Sequence, residues 1–88
     1  MNSILTYKFI VMELITYKTE IRNESAAGKV ALLLNQLIGS SNWQLDLESA
    51  DGLLTVFSPG ALNEPEIRAT IQQAGFEAKS IERIYSIY

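Results

Sequence analysis

From Leu14 the chain alternates between apolar and polar positions. Ile15, Tyr17, Thr19 and Ile21 fall on one side, while Thr16, Lys18, Glu20 and Arg22 fall on the other. β-branched and aromatic residues dominate, so the pattern predicts a half-buried strand. The period then changes. Val30, Leu33, Leu34 and Leu37 recur at i, i+3, i+4 and i+7, the apolar face of a helix. Asn23 or Ser25 can cap it, because either side chain can accept from a free backbone amide at the helix start. Gly39 follows the last apolar residue, as a C-terminal cap does. Gly28 sits in the first turn, where glycine costs about 1 kcal/mol against alanine and a small residue leaves room for close packing.

Alternation returns at Trp43. This residue, Leu45 and Leu47 interleave with Gln44, Asp46 and Glu48, and Leu53 to Phe57 reads as a return strand. The turn between them is Ser49-Ala50-Asp51-Gly52, in which Asp-Gly is the strongest local signal. Ser58-Pro59-Gly60 ends the return strand. The second helix has the clearest start. Asn63 is placed to cap it, Glu66 stands three residues on, and Leu62 with Ile67 completes a hydrophobic staple. Pro65 falls in the first turn, where its missing amide hydrogen costs nothing. Ile67, Ile71 and Ala74 face the core, Gly75 closes the helix and Phe76 folds back on it. A last strand runs from Phe76 to about Ile84.

The order β-α-β-β-α-β predicts an α+β domain of ferredoxin-like topology: a four-stranded antiparallel sheet with two helices on one face. The domain spans residues 14–88, with residues 1–13 as an extension. Within the extension, Leu5-Thr6-Tyr7-Lys8 echoes Ile15-Thr16-Tyr17-Lys18. The echo is either chance or an extra strand over Ile4 to Val11, and Met12 is an alternative start. At the other end, Ile81, Ile84, Tyr85, Ile87 and Tyr88 are too apolar for a free tail. They extend the last strand or cover an open edge of the core.

Composition narrows the chemistry. The 88 residues make one domain, 48% apolar, with no cysteine and no histidine. Thiol redox chemistry and thiolate metal sites are therefore excluded. The net charge is −3, and between Lys29 and Arg68 no basic residue occurs, while Asp46, Glu48, Asp51, Glu64 and Glu66 do. That stretch reads as an acidic face, and nothing resembles the basic stripe of a nucleic-acid binder. The apolar N-terminus is interrupted by Lys8 and Glu13 and lacks a small-residue cleavage site, which argues against a signal peptide or membrane span. The expectation is a soluble, cytoplasmic protein.

The assembled pieces resemble a known family. Tyr17-Lys18-Thr19-Glu20-Ile21 leads into a helix that carries Lys29-Val30 and the leucines after it. Trp43-Gln44-Leu45-Asp46, Leu54-Thr55-Val56, Glu66-Ile67 and Ala74-Gly75-Phe76 follow in order. Over Leu14 to Ile84 the chain resembles the heavy-metal-associated domain of copper chaperones and of the N-terminal modules of metal-pumping ATPases. The resemblance implies the ferredoxin-like fold. It also implies that the loop Asn23-Glu24-Ser25-Ala26 stands where the family keeps a Cys-x-x-Cys pair for one Cu(I) ion. The two cysteine positions correspond to Asn23 and Ala26. An amide is a poor soft-metal ligand and alanine is none, so the resemblance carries the fold over and leaves the site behind.

Three readings stay open. The first is a metal-free, non-enzymatic relative that works by contact with a protein partner or as a homodimer, without cofactor. Its interface residues would be Ile84, Tyr85, Ile87 and Tyr88. The second is a metal-handling protein that uses oxygen ligands, from Glu20, Glu24, Asp46, Glu48 and Asp51, or a partner's ligand. Met12 and Met1 are the only soft donors in the chain. The third is an acylphosphatase-like enzyme that holds a phosphate with Arg22 and Asn23. Ser25 lacks a nearby base and reads as a capping residue rather than a nucleophile.

Overall fold

The computed structural model describes residues 11–58 and 62–87, without the side chains of 11, 86 and 87. Six elements follow in the order β1 (Val11–Lys18), α1 (Glu24–Ile38), β2 (Trp43–Asp46), β3 (Leu53–Ser58), α2 (Glu64–Gln73) and β4 (Lys79–Ile87). The strands form one antiparallel sheet in the order β2-β3-β1-β4, the ferredoxin-like arrangement. The N-terminal strand is therefore central, and the shortest and longest strands form the two edges. Residues 1–10, 59–61 and Tyr88 lie outside the described residues, and so does any strand over Ile4 to Ile10.

Helix ends form where the side chains anticipate them. The Oδ1 of Asn23 accepts from the Ala26 amide at 2.8 Å, and that of Asn63 accepts from the Glu66 amide at 3.2 Å. Both satisfy backbone donors that lack a helical partner. The end of α2 is a Schellman motif. Gly75 at φ 98° donates to the Gln72 carbonyl at 2.9 Å, and Phe76 donates back to the Ile71 carbonyl at 3.3 Å.

The core lies between the helices and one sheet face. It consists of Ile15, Tyr17 and Ile21, Val30 and Leu34 of α1, Leu54 and Val56 of β3, and Ile67 and Ile71 of α2. Leu37, Trp43, Leu45, Leu62, Ala74 and Phe76 pack around it. The side chains expected inward from the first strand, Ile15, Tyr17, Thr19 and Ile21, are all buried. The strand itself is displaced, however. It starts at Val11 rather than Leu14 and ends at Lys18. Glu13, which breaks the apolar pattern in sequence, continues the inward row and is only 1% exposed. At the far end, Glu20 takes φ 62° and turns the chain out of the strand.

Other expectations are corrected. β2 stops at Asp46, because its Oδ1 accepts from the amides of Glu48 at 3.0 Å and Ser49 at 3.2 Å and starts the turn early. The last strand runs from Lys79 to Ile87 rather than from Phe76 to Ile84, since Phe76 is engaged in the helix ending. The carboxylates of the acidic stretch sit on separate elements. Asp46, Glu48 and Asp51 lie in and around the β2–β3 turn, whereas Glu64 and Glu66 open α2.

Gly28 packs against nothing. A Cβ built there meets no atom within 4 Å. Gly28→Ala therefore gains helix propensity without a clash, and should stabilise the protein by about 1 kcal/mol. That corresponds to a rise in Tm of about 4–8 °C by calorimetry. An unchanged or lower Tm would show that α1 depends on a bare backbone at this position.

Candidate functional site

The loop between β1 and α1 comes first, because the family resemblance would put a metal there. Its residues are tied to structural tasks. The Thr19 Oγ1 donates to the Gly52 carbonyl at 2.6 Å and accepts from the Ile21 amide at 3.3 Å. The Thr19 amide donates to the Gly52 carbonyl at 3.1 Å and to that of Asp51 at 3.2 Å, and the Glu20 amide reaches Asp51 at 3.1 Å. The loop is thus latched to the β2–β3 turn. Beyond the latch, the Asn23 amide oxygen is occupied in capping α1. Glu24 and Ser25 are exposed in the first turn, and Ala26 packs against the core without a donor atom.

The oxygen ligands considered from sequence do not converge. Glu20 lies 3.9 Å from Arg22, and Asp51 lies 3.4 Å from Lys18. Asp46 caps its own turn. Met12 stands six residues up β1 from Lys18, about 20 Å away along a strand. Among the described residues no group of three or more Asp, Glu, His or Cys side chains is placed to hold a metal ion. Arg22 turns toward Glu20 and Asn23 toward the helix, so the pair does not converge on a shared anion position.

The second region is β4. It pairs with β1 along its whole length, with one bulge between Thr16 and Tyr17 that leaves Ile81 as the extra residue. Cross-strand partners share a face. Arg83 opposite Ile15 and Tyr85 opposite Glu13 therefore lie on the helix side, while Ile84 opposite Leu14 lies on the open side with Phe57. None of these β4 side chains is covered. Every residue from Lys79 to Tyr85 is exposed, with Ile81 at 51%, Ile84 at 45% and Tyr85 at 58%. Among the described residues the strand adds backbone pairing to the fold and no side chain to the core.

One end of β4 is held in place. The Arg83 Nε donates to Glu13 Oε2, and the guanidinium carbon stands 5.5 Å from the centre of the Tyr85 ring, a cation–π distance. The Glu13 Oε1 accepts from the Leu62 amide at 2.8 Å. Burial pushes the Glu13 carboxyl up, but the Leu62 amide, Arg83 and Tyr85 together outweigh it and hold it below its ordinary value. A parallel link joins β1 to α2. The Tyr17 hydroxyl donates to Glu64 Oε2 at 2.9 Å, and Arg68 meets the same oxygen at 2.9 Å. Burial and the Glu64 carboxylate both push the Tyr17 hydroxyl well above its usual range.

Of the four expected interface residues, Ile84 and Tyr85 are exposed on opposite faces of the edge strand. Ile87 belongs to β4 by its backbone, while its side chain and Tyr88 lie outside the described residues. The Glu13–Arg83 pair was not anticipated. Its signal was present, since Glu13 shares the parity of Ile15, Tyr17 and Thr19. At the opposite edge, a shallow apolar groove of about 260 Å³ runs between α1 and β2, lined by Ala27, Gly28, Ala31, Trp43, Leu45 and Leu47.

No helix among the described residues is long and apolar enough to cross a membrane. Comparison with known proteins assigns no family: no family model matches the chain, and no curated protein matches it.

Proposed function

We propose that this chain is a non-enzymatic module of heavy-metal-associated type that has lost its metal site and works by protein contact through β4. One observation carries the reading. β4 is a nine-residue edge strand whose described side chains are all exposed, three large apolar ones among them. A strand that serves only a monomer normally buries one of its faces. Long apolar edges are liabilities that proteins shorten, charge or cover. The first loop supports the reading from the other side. Its Asn23 amide and Thr19 hydroxyl are consumed by a cap and a latch, and neither is free to follow an ion.

Native mass spectra taken with Cu(I), Zn(II) and Mg(II) should show the bare chain in each case. A stoichiometric adduct removed by chelator would overturn the reading. A benzophenone side chain placed at position 84 should crosslink to protein in cells, while one at exposed Leu32 on α1 should not. Equal yields at the two positions would remove β4 as the contact surface.

A further inference from the structure

We infer that β4 pairs with β4 of a second copy of this chain, antiparallel about a two-fold axis through Ile84, to give a continuous eight-stranded sheet. The inference rests on the contact reading above and names its partner. The two edges of the sheet differ. β2 is four residues long, a blunted edge, whereas β4 is nine. Among the described residues nothing pairs with the outer side of β4. Its one irregularity, the bulge at Ile81, lies toward its start and leaves the run from Glu82 onward regular.

The charge pattern of that run selects a second copy and one register. In a symmetric antiparallel pair that continues a sheet, each residue opposes one on the same face, so the axis passes through a single position. An axis at 82 sets Glu82 against its copy, and an axis at 83 sets Arg83 against its copy. Like charges directly opposite are destabilising. An axis at 84 removes both conflicts. Ile84 then faces Ile84 of the second copy on the open side, beside Leu14 and Phe57. Arg83 stands opposite Tyr85 of the second copy, and Glu82 stands opposite position 86. An axis at 85 also avoids like charges, but it sets Arg83 against position 87 and loses the Arg83–Tyr85 match. The axis at 84 centres the ladder on the stretch from Ile81 to Ile87 and uses all of it.

Arg83 is prepared for this contact. Glu13 fixes its Nε from within the same chain, so the guanidinium is already oriented on the helix side of the sheet. Tyr85 lies beside it, more than half exposed. Two copies would alternate Arg83 and Tyr85 across the axis, and an aromatic beside a cation is attractive in either direction. A strand-edge contact buries less area than a standard interface, so the pairing is weak and becomes visible with concentration.

Sedimentation equilibrium tests this from low micromolar to submillimolar protein. The expected mass rises from the 9.8 kDa of one chain toward twice that value. Ile84→Lys and Ile84→Glu, each checked for folding by circular dichroism, should each stay at one chain. Their equimolar mixture should regain the two-chain species, because only a residue that faces its own copy turns two repelling variants into an attracting pair. Ile84→Ser serves as a neutral variant and should weaken association at least tenfold. A wild-type chain that stays single at every concentration overturns the inference. So does a dimer that survives in both charged variants, or a mixture that associates no better than its components. A single, metal-free chain that still crosslinks a different protein through position 84 keeps the contact reading and removes the second copy. A metal adduct removes the contact reading whatever the mass.

Discussion

Gly52→Ala should lose about 3 kcal/mol of stability, roughly 1 from left-handed backbone strain and about 2 from overpacking. Gly52 holds φ 57° and is buried. A Cβ there would stand 2.6 Å from the Ile21 nitrogen, 2.7 Å from the Ile21 oxygen and 3.0 Å from the Glu20 nitrogen. All three atoms are main chain, so no side-chain rotation relieves the clash. The chain can make room only by moving the Thr19–Glu20 segment off the turn. That movement breaks the 2.6 Å bond from the Thr19 hydroxyl to the Gly52 carbonyl. In a domain of this size the loss corresponds to a fall in Tm of at least about 12 °C. Urea unfolding of the two proteins checks it. A variant within a few degrees of the parent would mean that the latch is not what holds the corner.

Glu13→Ala should lose about 2 kcal/mol at pH 7, because the Leu62 amide then loses its acceptor and a charged hydrogen bond is removed. The pH dependence tells the charge apart from the packing. In the folded chain the Glu13 carboxyl is held below its ordinary value of 4.5. The unfolded chain therefore binds a proton first as pH falls. The contribution of Glu13 is complete above about pH 4.5 and disappears as pH drops through the folded value. Glu13→Gln keeps an acceptor for Leu62 but has no titrating group, so its unfolding free energy should fall less steeply on the acid side than that of the parent. Parallel acid limbs would show that other carboxylates carry the acid sensitivity.

The pattern of apolar positions was sufficient for the architecture, because the periods of the two helices and of β1 reflect a single core that each must face. The caps were legible for the same local reason: Asn23 and Asn63 act on amides three residues away. What sequence could not place were groups whose partners are remote in the chain. Glu13 looks like an interruption until β4 brings Arg83 beside it, 70 positions later. Asp51-Gly52 reads as a hairpin turn, yet its carbonyls serve Thr19 and Glu20 as well. The apolar residues of the last strand are too many for a free tail. Whether they entered the core depended on helix placement, and the helices leave the described side chains of β4, Lys79 to Tyr85, exposed. At the loop that the family resemblance singles out, the sequence supplies only the chemistry of the side chains, an amide at Asn23 and a methyl at Ala26. The latch that fixes the loop is tertiary.

The central position of β1 also bears on how the chain comes to be folded. Its two neighbours in the sheet are β3 and β4, and the pairing with β4 joins residues up to 76 positions apart, from Val11 to Ile87. During synthesis β1, α1, β2, β3 and α2 can all be present while the middle strand still has one bare side. Closing such a long loop carries a large entropy cost before any contact offsets it. The nascent chain therefore waits for Lys79–Ile87 with an exposed, β-branched strand at its heart, and that interval, more than anything in the finished fold, is when it is most vulnerable to pairing with the wrong neighbour.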